Sequence, residues 1–298
     1  GIPAEPLFRS ASFCGVVGLK PTYGRVSRFG LIALASSLDQ IGPFTKTVSD
    51  AEMVHNVISG NDAFDSTTIS DETYPHKKEF GKTIGVPRAF VEHEGVSESV
   101  RENFKQAIKN FESKGYRIVD IDLPHVGYSL PVYYIVMPAE ASSNLSRFDG
   151  VKYGLHKEGV TGIEDYFETR GEGFGKEVRR RIILGTYVLS SGYYDEYYGS
   201  ALRMRELITE DFRKTFEKVD LIMTPTTPTS AFKLGEKTAD PLEMYLADIF
   251  TVPANISGCP ALSVPSGFDG NLPLGIQLTA DLGREDNLFT AGKEFMGE

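Results

Sequence analysis

Residues 82–124 constrain the fold more than any other stretch. "KTIGVP" (82–87) is a short apolar run of strand character. In "SESVRENFKQAIKNFESKG" the residues Val100, Phe104, Ala107, Ile108 and Phe111 recur at helical spacing, and Gly115 supplies the C-terminal stop. "YRIVDIDLP" then returns to a period of two through Val119, Ile121 and Leu123. Strand, helix and strand within about 40 residues make a βαβ unit with a right-handed crossover. That places the chain in the α/β class.

The flanks fill in the sheet. Residues 13–47 read as short strands and tight turns punctuated by glycines and prolines. "VSDAEMVHNVISG" reads as a helix, with Ser49 and Glu52 as a capping box, an apolar stripe of Met53, Val54, Val57 and Ile58, and Gly60 as the stop. Residues 130–215 are mostly helical in pattern. "DLIMTPTTP" is a buried strand running into a loop, and "ADPLEMYLADIFT" starts a helix with Asp240 as cap, Pro241 at the first position and Glu243 completing the box. "CPALSVPSGFDGNLPLGIQLTA" is a hairpin pattern. The expected architecture is α/β, a mixed β-sheet flanked by helices, without repeats or linkers.

Bulk properties exclude several function classes. Lys and Arg total 31 against 41 Asp and Glu, a net charge of −10. That argues against broad binding to nucleic acid, which runs on phosphate neutralisation. Cys14 and Cys259 make neither a disulfide framework nor a CxxC motif, so a reducing cytoplasm is expected. No stretch approaches the roughly 20 apolar residues of a membrane-spanning helix. The chain opens on Gly rather than Met, and a cut or engineered N-terminus is expected.

Single motifs give little chemistry. His55, His76, His93, His125 and His156 lack metal-ligand spacing and read as surface histidines. "GEGFGKE" (171–177) lacks the Ser or Thr of a phosphate loop, because Glu177 stands there, and reads as a flexible lead into a helix. Cys14 has no partner nearby in sequence and reads as a buried inert thiol. In "KEVRRRIILGT" (176–186), Arg181 flanks an apolar face formed by Val178, Ile182, Gly185 and Leu189. It is either a snorkelling side chain or a buried anion reader. Asp248 points away from Leu242, Leu246 and Ile249 by helical angle and reads as a solvated carboxylate. Tyr133 and Tyr134, in "PVYYIVMPAEASSNLSRFDG", read as packing residues.

Taken together, the segments say more. "SASFCGVVGLKPTYGRVSRFGLIALASSLDQIGPFTKTVSDAEMV", "EASSNLSRFDGVKYG", "EGFGKEVRRRIILGTYVLSSGYYDEYY", "PTTPTSAF", "DPLEMYLADIFTVPANISGCPALSVPSG" and "PLGIQL" resemble the amidase-signature family, in particular its tRNA-dependent amidotransferase branch. The resemblance runs from about residue 12 to 290. It implies a Ser–cis-Ser–Lys triad, in which Lys acts through the middle Ser on the nucleophilic Ser. The family signature, G-S-D-T-G-G-S-I-R-x-P-A, precedes the equivalent of "SFCG". Here "GIPAEPLFRSA" stands in its place. Counting back from Gly15 puts the nucleophile position on Pro6, and anchoring on Arg9 puts it on Leu7. Neither can attack a carbonyl, and the Gly pair that would supply oxyanion donors is absent. Residues 1–11 are therefore expected to be a foreign or damaged lead-in, and 12–298 the C-terminal portion of one amidase-signature domain. Ser10, Ser12 and Cys14 are not expected to be nucleophiles, and the chain by itself is expected to be inactive.

The same resemblance implies that free glutamine is held by Tyr133, Arg181 and Asp248, with Tyr134 open as an alternative to Tyr133. It implies an intact protein that releases ammonia from glutamine, for amidation of Glu-tRNA(Gln) or Asp-tRNA(Asn). Partner subunits B and C are implied, with tRNA contacted mainly through a partner. No cofactor is implied for this chain, ATP and Mg being used by the partner. Two rival readings stay open: a general amidase acting on small amides, and a non-catalytic scaffold that keeps only subunit contacts.

Overall fold

The computed structural model describes residues 7–70, 72–74, 79–234 and 246–298. The expected helix cap at Asp240, Pro241 and Glu243 lies outside the described residues, as do His76 and Pro6. The chain divides into two compact units. One, built from Gly30–Asp39 and Pro131–Met204, is helical; the other, built from the remaining described segments, carries the sheet.

In the sheet unit the elements are α1 (Leu7–Cys14), β1 (Val17–Lys20), β2 (Phe44–Thr45), α2 (Val48–Ile58), β3 (Thr83–Val86), α3 (Arg88–Val91), α4 (Glu98–Ser113) and β4 (Arg117–Asp120). Further along are β5 (Leu221–Pro225), α9 (Val252–Ser257), β6 (Ala261–Asp269), β7 (Leu272–Ala280) and α10 (Glu285–Met296). Seven strands lie in the order β2-β1-β6-β7-β5-β3-β4. The β3–β4 and β3–β5 pairs are parallel and the others antiparallel, so the sheet is mixed as the pattern predicts. The βαβ unit is β3-α4-β4, in register from Thr83↔Arg117 to Val86↔Asp120. The hairpin is β6-β7, closed at Gly270 and Asn271, where Gly270 takes the left-handed backbone (φ 59°) that glycine adopts without strain.

Side chains alternate across the strands, and the two faces differ. One face presents Val17, Leu19, Leu262, Val264, Leu274, Ile276, Leu278, Leu221, Met223, Ile84 and Val86. It is covered by α4, through the five residues that the helical spacing picks out, and by Leu288, Phe289 and Ala291 of α10. Ser97 caps α4 by accepting the Val100 N–H. Each fully buried large side chain here contributes about 1.5–3 kcal/mol. The opposite face carries Gly18, Lys20, Ser263, Thr224, Gln277 and Thr279, all buried. Helix α1 packs on β7, β1 and β6 over that face.

Helix α2 departs from its sequence reading. Thr47, not Ser49, is the N-cap, accepting the Asp50 N–H. The buried side is Val48, Ala51 and His55, while Met53, Val54 and Val57 face solvent. His55 is therefore not a surface histidine; its ring lies 5.6 Å from that of Phe289. Residues 7–14 form α1, a helix that the sequence reading does not include, because Phe8 and Ala11 have a sheet to bury against.

The helical unit contains α6 (Gly162–Gly173) and α7 (Lys176–Val188), most of α5 (Ser129–Asn144), and the start of α8 (Ser200–Phe216). Thr161 and Glu164 form a reciprocal capping box on α6. Gly171 and Gly173 lie inside that helix rather than in a flexible lead.

Candidate functional site

Helices α5 and α7 meet at a seam set by one glycine. A β-carbon on Gly185 would overlap the carbonyl of Pro138, so only glycine lets the backbones approach this closely. One turn before Gly185 on α7 is Arg181, 8% exposed, which decides against the snorkelling alternative. Its Nη1 lies 3.6 Å from the Met137 sulfur. One turn before Met137 on α5 is Tyr133, also buried, whereas the neighbouring Tyr134 is half-buried and meets it edge-on. The seam thus carries Tyr133 and Arg181 on facing helices. Glu177 accepts from Arg181 Nε at 2.9 Å and also pairs with Arg180. Burial pushes the Glu177 carboxyl up, but hydrogen bonds from Arg180 and Arg181 outweigh it and hold it below its ordinary value. The glutamate fixes one edge of the guanidinium, which is a planar fork suited to a carboxylate. Asn144 ties α5 to the Gly30–Asp39 segment by donating to the Leu34 carbonyl (3.1 Å) and Ser36 Oγ (2.9 Å).

Asp248 belongs to the sheet unit. It is 5% exposed, which overturns its reading as a solvated carboxylate. The helical angle misled because the side chain's partner is distant in sequence: Arg9 Nη1 donates to Asp248 Oδ2 at 3.0 Å, and Arg9 is itself 4% exposed. The main chain at Asp248 is fixed as well. Its carbonyl accepts from the Thr251 and Val252 N–H groups, at 3.1 and 3.0 Å. Gln277 Nε2 donates to the Phe250 carbonyl at 3.0 Å.

Around this pair lies the polar face of the sheet. Thr224, Gln277, Ser263 and Gly18 form one row across four strands. Ser263 Oγ and Thr226 Oγ1 are 2.9 Å apart. Ser12 Oγ, Thr224 Oγ1 and Gln277 Oε1 are buried and have no hydrogen-bond partner among the described residues. A run of buried hydroxyls and an amide on one face of a sheet costs stability, and such a face is where binding chemistry is sought. Lys20 sits on the same face, fully buried, donating to the Pro21 carbonyl (2.9 Å) and Gln40 Oε1 (3.1 Å). Burial lowers its amine to about 7, partly offset by Cys259 and Glu285.

Sequence reasoning passed over Arg9 as a partner, together with Lys20, Gln277 and the hydroxyl row. The row has a signal: polar residues at every second position in strands that are otherwise apolar, as in "LGIQLTA". Cys14 is exposed rather than buried, while Cys259 is buried, which pushes its thiol up to about 12. Leu7, one of the two candidates for the nucleophile position, is the first residue of α1. Among the described residues, no group of three or more His, Cys, Asp or Glu is disposed to hold a metal ion.

A match to the Amidase family spans residues 10–289. The chain belongs to the amidase family. It is 56% identical over 275 residues to the glutamyl-tRNA(Gln) amidotransferase A subunit of Carboxydothermus hydrogenoformans, a match covering 90% of this chain and 56% of that protein. A protein of the same description from Thermodesulfovibrio yellowstonii is 57% identical over 274 residues, with the same coverage of each chain. The crystal structure of the glutamyl-tRNA(Gln) amidotransferase A subunit from Thermotoga maritima superposes with a TM-score of 0.76 at 42% identity, over 97% of this chain and 59% of that one. A structure described as an amidase, 23% identical with a TM-score of 0.75, shares the fold. The chain thus spans less than two thirds of the length of these amidase relatives.

Proposed function

We propose that this chain is the glutamine-recognising portion of a tRNA-dependent amidotransferase A subunit. Arg181 reads the α-carboxylate of glutamine, Asp248 reads its α-ammonium, and Tyr133 packs against the ligand beside Arg181. The observation that carries the reading is the burial of Arg181 and Asp248, since a family likeness alone would be satisfied by solvated side chains at these positions. A guanidinium or a carboxylate kept from water makes stronger charge-assisted contacts than a solvated one.

In the intact protein the amide is cleaved through an acyl-enzyme and ammonia is released. Partner subunits B and C use that ammonia, with ATP and Mg, to amidate Glu-tRNA(Gln) or Asp-tRNA(Asn), and tRNA is contacted mainly through a partner. This chain has no cofactor of its own in this reading. By itself it does not hydrolyse glutamine, because Pro6 or Leu7 stands at the nucleophile position and neither carries an attacking group.

Two measurements test the reading. Titration of the chain with L-glutamine and with propionamide should give saturable binding of glutamine alone, lost in Arg181→Ala. Equal binding of both would favour a general small-amide amidase, and binding of neither would favour a scaffold. Glutamine hydrolysis by the chain, abolished in Arg181→Ala, would overturn the expected inactivity.

A further inference from the structure

We propose that Arg9 is a positioning residue, holding Asp248 in the one orientation in which it can read an α-ammonium group. The inference rests on the glutamine-binding reading of Asp248 and names a residue that this reading does not contain.

Burying a carboxylate and a guanidinium is expensive, and a hydrophobic pair of similar volume is often at least as stable. The Arg9 and Asp248 side chains are 4% and 7% exposed, 3.0 Å apart and 239 residues distant in sequence. Stability alone does not explain an ion pair placed there. Its geometry matches a different need. The backbone at Asp248 is pinned by the turn into α9, and Gln277 ties Phe250, two residues on, to the sheet. What remains adjustable is the carboxylate rotamer, and Arg9 takes Oδ2. Arg9 is held in turn by its helix. Phe8, the preceding residue, is fully buried in a cluster with Ala254 of α9 and Ala261 of β6. The segment that carries Asp248 and the helix that carries Arg9 are therefore joined twice, once by an apolar contact and once by the ion pair.

A carboxylate that reads an ammonium must be aimed at it, and a buried one needs a compensating charge while the ligand is absent. Arg9 supplies both. Arginine suits the task because its fork fixes direction, whereas the point charge of lysine does not. Arg9 thus governs the preference for ligands that bear an α-amine. It does not act on the other end of the ligand.

Calorimetric titration of the chain with L-glutamine and with 5-amino-5-oxopentanoate, which lacks only the α-amine, separates this role from a structural one. Arg9→Lys is expected to weaken L-glutamine by about tenfold or more, as the loss of one well-aimed charged contact does, and to leave the des-amino analogue within about twofold. Asp248→Asn should show the same selective loss. Arg9→Met placed on Asp248→Asn should add nothing, because the group it acts through is already gone. That double variant also removes the uncompensated charge that threatens folding in Arg9→Met alone, and melting curves report whether each variant is folded. Equal weakening of both ligands by Arg9→Lys would assign Arg9 a structural role and overturn the inference. Selective loss in Asp248→Asn with no effect in Arg9→Lys would overturn the inference and leave the reading of Asp248 standing. No selective loss in Asp248→Asn, or no binding of glutamine by the unaltered chain, would overturn the reading and the inference with it.

Discussion

The two faces of the sheet are both buried, and they obey different rules. On one, Leu262, Leu274, Ile276, Leu278 and Met223 meet α4 and α10 in a layer of hydrocarbon. On the other, Lys20, Ser263, Thr224 and Gln277 lie under α1 with several polar atoms unpartnered among the described residues. The same strands supply both faces, so backbone propensity cannot account for the contrast. The apolar face is what holds the unit folded. The polar face is retained at a cost to stability, and the Arg9–Asp248 pair stands among the groups buried with it.

Substitutions can break or sharpen that contrast. The largest effect is expected on the apolar face. Leu278→Ala should lower the unfolding free energy by about 3–5 kcal/mol in a urea titration, while any glutamine binding by the folded fraction stays unchanged. A comparable loss of binding would mean that the faces are not separable.

The next effect lies on the polar face and depends on pH. Burial disfavours the Lys20 ammonium, lowering its titration from 10.5 to about 7. Between those values the unfolded chain binds the proton and the folded chain does not, so stability rises with pH across the window. Below pH 7 both states carry the proton and the penalty is complete. Lys20→Met should flatten the rise, a difference of about 3 kcal/mol between pH 7 and pH 10, read from denaturation midpoints of the two proteins. Parallel pH profiles would show that the ammonium is not disfavoured there.

A smaller effect is expected at Gly275, where an added β-carbon would lie 2.8 Å from Ser12 Oγ and 3.1 Å from Ser12 Cβ. Gly275→Ala should lift α1 from the sheet at a cost of about 1–3 kcal/mol, and slower tryptic cleavage within residues 7–14 would contradict it. The smallest is opposite in sign. Thr224→Val removes a buried hydroxyl that has no partner among the described residues and should leave stability unchanged or raise it by about 1 kcal/mol. A clear loss of stability would reveal a partner for that hydroxyl and weaken the contrast.

How far the sequence could be read follows the distance between partners. The β3-α4-β4 unit and the β6-β7 hairpin were legible because their signals are local. In each, periodicity and a terminating glycine lie within about 40 residues. Helix α2 was legible as a helix but not in orientation. Three of its apolar residues, Met53, Val54 and Val57, are exposed, and a cap at Thr47 with a partner helix at the far end of the chain, α10, decides what is buried. Helix α1 escaped notice because Ser10, Ser12 and Cys14 look like loop residues when taken without the sheet beneath them. The positions of Tyr133, Arg181 and Asp248 as candidate ligand residues came from family resemblance. No local pattern marks Asp248 as buried, since its compensating charge is 239 residues upstream.

The glycine at the α5–α7 seam has a consequence for how this protein can vary. Because a β-carbon on Gly185 would overlap Pro138, the two helices keep this close spacing only while residue 185 is glycine. A methyl group there would push α7 outward and carry Arg181, one turn away, with it. The placement of the arginine against Tyr133 thus depends on a position that has no side chain, and drift at residue 185 would displace the guanidinium without altering it.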